Sequence, residues 1–143
     1  MISNFETMNK TILFILLFLL GSGLHYSYAQ SYKFKTSGFS VLEKNEKGKW
    51  GKWSDLDLVN ILVTLDTNKN RFVIYSQAIQ LFEIIEYQPT EENETDIVHS
   101  FICKDNNGDD CTLSIITRKK QGNRKQLYIN YDDQVIVYNI FTI

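Results

Sequence analysis

Short apolar runs alternate with clusters of polar turn residues from Tyr32 to the end of the chain. Within the runs, apolar positions recur closer to every second residue than to every 3.6 residues, as at Val59, Ile61 and Val63. This period predicts β-strands, because successive side chains of a strand point to opposite faces. The predicted strands are 32–39, 59–65, 72–75, 77–87, 97–104, 111–118, 125–131 and 134–141.

The range 77–87 fits two interpretations. Leu81, Phe82 and Ile85 would also lie on one face of a helix of about two turns. The β-branched Ile84 and Ile85 favour a strand. We therefore predict a strand there, with a short helix as the alternative.

Short polar connections such as 105–110, 119–124 and 132–133 join the predicted strands. Neighbours joined so closely are antiparallel, since a parallel crossover needs about a dozen residues or more. We expect an all-β fold: an up-and-down meander of about eight strands that follows an N-terminal signal helix. Such a meander closes into a small barrel or curls into a half-barrel.

The last predicted strand, 134–141, is apolar on both faces. Val135 and Val137 lie on one face, and Ile136 and Tyr138 lie on the other. A strand of this kind must be covered on both sides. The second cover could be the N-terminal segment or a second subunit, so a homodimer is one possibility.

The first 29 residues have the three features of a secretory signal peptide. Lys10 supplies positive charge, 12–20 is an unbroken apolar run, and the small residues Ser27 and Ala29 precede the expected cut. We predict cleavage between Ala29 and Gln30, which leaves a single domain at 30–143. The protein is then exported, either to the periplasm or out of the cell.

The apolar run at 12–20 is too short to favour an uncleaved anchor, since a bilayer span takes roughly 20 apolar residues. We therefore expect no membrane span after cleavage. Met8 would make a more orthodox signal start than Met1, because it removes Glu6 from the positive end.

The charge and composition of the chain exclude few classes of binding partner. The signal removes one of 17 acidic and one of 15 basic residues, so the formal net charge stays at −2. That balance gives no reason to expect a nucleic acid. The single proline and the absence of a Gly/Ser-rich stretch indicate one domain.

Cys103 and Cys111 are the only cysteines, and they flank the turn dipeptide Asn107-Gly108. A turn centred on Asn107 places the two cysteines opposite each other. They are within disulfide reach if their strand pair is non-hydrogen-bonded. Export to an oxidising compartment leads us to predict a disulfide, with two buried thiols as the alternative.

Two segments carry candidate contacts with a ligand or partner. The basic loop that contains Arg118, Lys119 and Lys120 could meet an anionic surface, although a solvated hairpin tip is the simpler interpretation. Trp50 and Trp53 could stack on a sugar or close a barrel mouth. Aromatic residues in such a place more often plug one end of a core.

Catalytic, cofactor and metal signatures are weak. Asp105, Asn107 and Asp109 resemble part of a calcium loop, but the bidentate glutamate is missing, so a polar turn is the better interpretation. Cleavage removes His25 and leaves His99 as the one imidazole, on the face of its strand that also carries Phe101. We predict no catalytic residue, no metal and no cofactor.

Several short segments together resemble a group of small exported proteins of Bacteroidetes bacteria. The segments are Ile74-Tyr75-Ser76, Ile84-Ile85-Glu86-Tyr87, Ser100-Phe101-Ile102-Cys103 with Asp105 and Gly108 before Cys111, Tyr138-Asn139, and the cleavage region Tyr28-Ala29-Gln30. The group has no assigned activity. The resemblance implies export and a β fold, and it carries over no catalytic residues.

These observations favour an exported protein that acts as a non-enzymatic binding module for a small apolar ligand or an envelope protein. The alternative is a self-associating structural or interaction protein of the cell envelope.

Overall fold

The computed structural model describes residues 30–143, in which ten strands account for the regular structure apart from one 3-10 turn. The strands are β1 (Ser31–Glu43), β2 (Asp57–Leu58), β3 (Leu62–Asp66), β4 (Arg71–Ile74), β5 (Gln80–Tyr87), β6 (Glu91–Glu92), β7 (Asp96–Lys104), β8 (Asp110–Arg118), β9 (Arg124–Asn130) and β10 (Gln134–Thr142). The predicted signal peptide, 1–29, lies outside the described residues. No helix within 30–143 has the length and apolarity needed to cross a membrane.

Eight of the strands form a closed antiparallel barrel, in the order β1, β3, β4, β5, β7, β8, β9 and β10. Closure comes from β1, which pairs with β3 on one side and with β10 on the other, from Phe34 opposite Thr142 to Glu43 opposite Gln134. The all-β meander is therefore confirmed, and of the two expected forms it takes the closed barrel. The two short strands are additions: β2 pairs with β1, and β6 pairs with β7.

The strand interpretation of 77–87 is confirmed for Gln80–Tyr87. Phe82 and Ile84 are buried inside the barrel, at alternate positions of β5. A bulge against β7 lies between Ile84 and Glu86. Buried and exposed side chains of β5 therefore alternate up to this bulge.

The middle of the barrel is filled by inward side chains. The aromatic rings of Phe72 and Phe101 meet edge to face, with centroids 5.0 Å apart. Leu113, Leu127 and Ile129 around them are fully buried. The barrel is therefore a packed core at its centre.

The outer face of β10 is covered in part by the chain itself, at Val137, whereas Phe141 on the same face is 47 % exposed. Trp53 and Leu56, in the connection between β1 and β2, line the same external cleft as Val137 of β10, and Val137 is buried. Ser54 holds this connection in place, because its N–H donates to the Val41 carbonyl and its Oγ accepts from the Val41 N–H, both at 2.8 Å. The segment after β1 thus provides an outer cover that the sequence pattern had not identified.

A buried hydroxyl holds the chain where β1 bulges. Thr36, which is 1 % exposed, donates through Oγ1 to the Val59 carbonyl at 2.8 Å and accepts from the Ile61 N–H at 3.0 Å. The register of β1 against β10 shifts between Thr36 and Gly38. Thr36 therefore ties the entry to β3 against β1 next to the bulge.

Candidate functional site

The barrel has two mouths of different chemistry. The turn between β7 and β8, which contains Asp105 and Asp109, lies at one end together with Asp133, and we call this end the acidic mouth. The other end, where β1 begins and β9 starts, is lined mainly by apolar side chains, and we call it the apolar mouth. The packed core separates the two.

The acidic mouth holds a cavity of about 420 Å3, but its central carboxylate is already satisfied. Asp105 Oδ1 accepts from the N–H groups of Asn107 and Asp109, each at 2.9 Å, and Oδ2 accepts from the Tyr131 hydroxyl at 2.8 Å. Burial raises the pKa of Asp105, but these hydrogen bonds lower it by more, so the pKa lies below its ordinary value. The carboxylate thus builds the turn.

The segment that resembles a calcium loop does not assemble ligands. Within 30–143, no group of three or more His, Cys, Asp or Glu side chains is placed to hold a metal ion. The turn is centred on Asn107, as predicted, and Gly108 takes positive φ (79°) in it. It is therefore a three-residue turn in which glycine supplies the left-handed position.

Cys103 and Cys111 lie directly opposite each other, as the sequence predicted. The predicted disulfide, however, is not supported, because both residues are free, buried thiols. Asp105 N–H donates to the Asp109 carbonyl at 3.0 Å, and counting two residues outward from that pair makes Cys103–Cys111 a hydrogen-bonded pair. Side chains stand further apart at such a pair than at the non-hydrogen-bonded pair that the predicted bridge requires.

The two thiols have low reactivity. Burial, with a smaller contribution from Cys111, raises the pKa of Cys103 to about 12. Burial, with Asp105 nearby, raises the pKa of Cys111 to about 11. Both thiols are therefore protonated at neutral pH and act as small core side chains.

The apolar mouth holds a half-enclosed cavity of about 350 Å3. Phe34, Leu65, Phe101 and Ile115 are the buried apolar residues among its walls. The cavity is completed by Tyr32, Thr67, Tyr87, His99, Thr117, Lys125 and Thr142. An apolar concavity with a few polar groups at its rim is the usual form of a small-molecule site, so we take this cavity as the candidate site.

The aromatic part of the rim is held in place by its neighbours. The Tyr87 hydroxyl donates to Asn70 Oδ1 at 2.6 Å, in the turn between β3 and β4. The Tyr87 ring packs edge to face on Phe101, with centroids 5.6 Å apart. His99 Nδ1 lies 3.1 Å from Thr90 Oγ1. Both rings are thus oriented before any ligand arrives.

The predicted tryptophan contacts lie away from this cavity. Trp50 is 46 % exposed, and the Lys44 ammonium lies 4.9 Å from the centre of its ring. Trp53 is 48 % exposed and lines the external cleft with Leu56. Neither ring plugs an end of the barrel, and their role as ligand or partner contacts stays a prediction.

The predicted basic contacts are also elsewhere, and two of them are already paired. Arg118 is part-buried and binds Asp96 at 3.1 Å, as well as Gln126. Lys119 forms an ion pair with Glu92. Lys120 is exposed. Arg118 and Lys119 therefore join neighbouring strands, while a contact between this loop and an anionic partner stays a prediction.

The residues of the cavity follow from strand alternation, although the sequence analysis singled out only one of them. His99 was placed on the same face as Phe101, and both line the cavity. Lys125 was not singled out, yet it begins the predicted strand 125–131, alternates with the buried Leu127 and Ile129, and so points into the barrel. That alternation was a signal in the sequence that could have identified it.

The fold and the cavity together define a small closed β-barrel with a half-enclosed apolar site at one mouth. Comparisons of the chain with models of protein families, with curated proteins and with solved structures gave no match.

Proposed function

We propose that this chain is an exported binding protein that holds a small apolar ligand in the cavity at the apolar mouth. The observation that carries the proposal is the cavity itself: about 350 Å3, bounded below by Phe34, Phe101 and Ile115 and open to solvent at its rim. Burial of apolar ligand surface there would supply roughly 0.8 kcal/mol for each buried CH2 group. Export is supported by the signal-like pattern of residues 1–29.

Binding is a better account of this cavity than catalysis. His99 is its one imidazole, and the ring already lies within hydrogen-bond distance of Thr90. Among the described residues that line the cavity there is no carboxylate and no thiol that could act with it as a nucleophile or a base. The wall instead offers rigid aromatic and aliphatic surface, which is what an apolar ligand requires.

A neutral probe tests the proposal. We expect octan-1-ol, followed by ¹H–¹⁵N NMR, to shift the amide signals of Tyr87, His99 and Ile115 and to leave those of Asp109 and Asp133 unchanged. Octan-1-ol carries an apolar tail that this volume can hold and has no charge to direct it elsewhere. Shifts at the acidic mouth, or no saturable shifts at all, would contradict the proposal.

A pair of variants on one strand supplies the control. Ile115 points into the cavity and Ile116 points outward on β8. We expect Ile115→Phe to weaken octan-1-ol binding at least about fivefold by filling the cavity, and Ile116→Phe to leave it within about twofold. Thr142→Trp narrows the rim from an exposed position and serves if Ile115→Phe does not fold. Equal binding by all three variants would exclude this cavity as the site.

Self-association in the cell envelope is the second candidate. The observation in its favour is the exposure of Leu58, Phe141 and Ile143. Native mass spectrometry of the protein from its own compartment separates the two functions, because a co-purifying small molecule supports the first and a dimer supports the second.

A further inference from the structure

One lysine is the sole Lys, Arg, Asp or Glu side chain among the described residues that line the apolar mouth. Lys125 points inward from β9, is partly buried, and donates from Nζ to Thr117 Oγ1 at 3.0 Å. Thr117 is itself buried. The ammonium is therefore held at the edge of an apolar surface by a neutral partner.

No carboxylate of the described chain neutralises this lysine. The three ion pairs within residues 30–143 use Lys104, Arg118 and Lys119 as their cations. The strand neighbours of Lys125 are Thr117 on one side and Ile140 on the other, and neither is acidic. A partly buried ammonium favours an anion nearby, because burial removes part of its hydration and the Thr117 hydroxyl that it binds is neutral.

The two ends of the barrel differ in the charge that they offer to a ligand. Asp105, Asp109 and Asp133 line the acidic mouth, and no lysine or arginine of residues 30–143 lines it with them. At the apolar mouth the distribution is reversed, with Lys125 and no acid. A charged ligand would therefore distinguish one end of the barrel from the other.

We propose that the ligand of the apolar mouth is a small anionic amphiphile, with its tail on Phe101 and Ile115 and a carboxylate head on Lys125 and Thr117. This inference rests on the proposed function and adds the chemical class of the ligand. A volume of about 350 Å3 equals that of about a dozen water molecules at ~30 Å3 each. The body of the ligand therefore has on the order of ten non-hydrogen atoms.

Three probes that share one tail and differ in head charge test the inference: octanoate, octan-1-ol and octylammonium. We expect octanoate to bind the wild-type protein about fivefold more tightly than octan-1-ol at pH 7.5 and low salt, with octylammonium weakest. Lys125→Gln should remove the octanoate advantage and change octan-1-ol binding by less than about twofold. Lys125→Arg should keep most of the advantage, because it keeps the charge.

The exposed Lys33 supplies the matched control. It lies on β1 between Tyr32 and Phe34, which line the cavity, but is not itself part of the lining, so Lys33→Gln removes the same charge near the same mouth and should preserve the preference for octanoate. Thermal melting establishes that each variant is folded before binding is compared. Equal binding of the three probes, or a preference that survives Lys125→Gln, would overturn the inference and leave the proposed function standing. Failure of octan-1-ol itself to bind the cavity would overturn the proposed function.

Discussion

Replacing Thr36 by valine should clearly destabilise the barrel, although valine and threonine have nearly the same shape. The hydroxyl donates to the Val59 carbonyl and accepts from the Ile61 N–H, so valine leaves one acceptor and one donor without this partner. An unsatisfied buried polar group costs about 1–3 kcal/mol. Val59 and Ile61 are only partly buried, which allows water to recover part of that loss. We therefore expect a loss of about 2 kcal/mol in the free energy of unfolding.

Urea denaturation of the protein without residues 1–29, followed by circular dichroism, measures this loss. A change of about 2 kcal/mol corresponds to a melting temperature lower by about 8 °C for a domain of this size. Thr36→Ser is the control, because it keeps the hydroxyl and removes one methyl group, at a cost of about 1 kcal/mol or less. A Thr36→Val protein within about 0.5 kcal/mol of wild type would show that the hydroxyl does not hold the entry to β3.

Two further expectations follow from the ionisable groups. The pKa values of Cys103 and Cys111 are raised to about 12 and about 11. We therefore expect both thiols to resist iodoacetamide at pH 8 until guanidinium unfolds the protein. Rapid labelling of the folded protein would contradict this expectation. Because the folded-state pKa of Asp105 lies below its ordinary value of 3.8, its ionised form stabilises the fold above that pH, and the gain is lost as the pH falls through the folded pKa. The stability difference between wild type and Tyr131→Phe should therefore be full at pH 6 and shrink below about pH 4, and a difference that does not change with pH would refute the role of the Tyr131–Asp105 hydrogen bond.

Local patterns were sufficient for the antiparallel meander because most of its strands are joined by short connections. The polar connections at 105–110 and 132–133 require antiparallel neighbours, and alternation then decides which side chains face inward. Closure was left open, since it depends on β1 pairing with β10, at the opposite end of the described chain. No local pattern carries that information.

The covering segment was missed for a related reason. Nothing in the sequence around Trp50 and Trp53 indicated that Ser54 would bind Val41 across the turn. These hydrogen bonds join residues that are 13 positions apart, and no local pattern predicts such a pairing.

The disulfide shows a different limit. The register of Cys103 against Cys111 was predicted correctly, but a bridge also depends on whether that pair is hydrogen-bonded. This parity is set by how the turn closes, from the hydrogen bond between Asp105 and Asp109. The turn can therefore place Cys103 opposite Cys111 and still leave the two side chains in a position that does not favour a disulfide.

The packed centre of the barrel decides how a ligand can use its ends. Phe72, Phe82 and Leu113 are fully buried between the mouths, so the two cavities do not join. A ligand of the apolar mouth must therefore enter and leave by the rim. The tail of the proposed amphiphile would reach the buried side chains first, and its head would stay at the level of Lys125, which is only partly buried. This orientation needs little desolvation of the carboxylate, and the free energy of tail burial is retained.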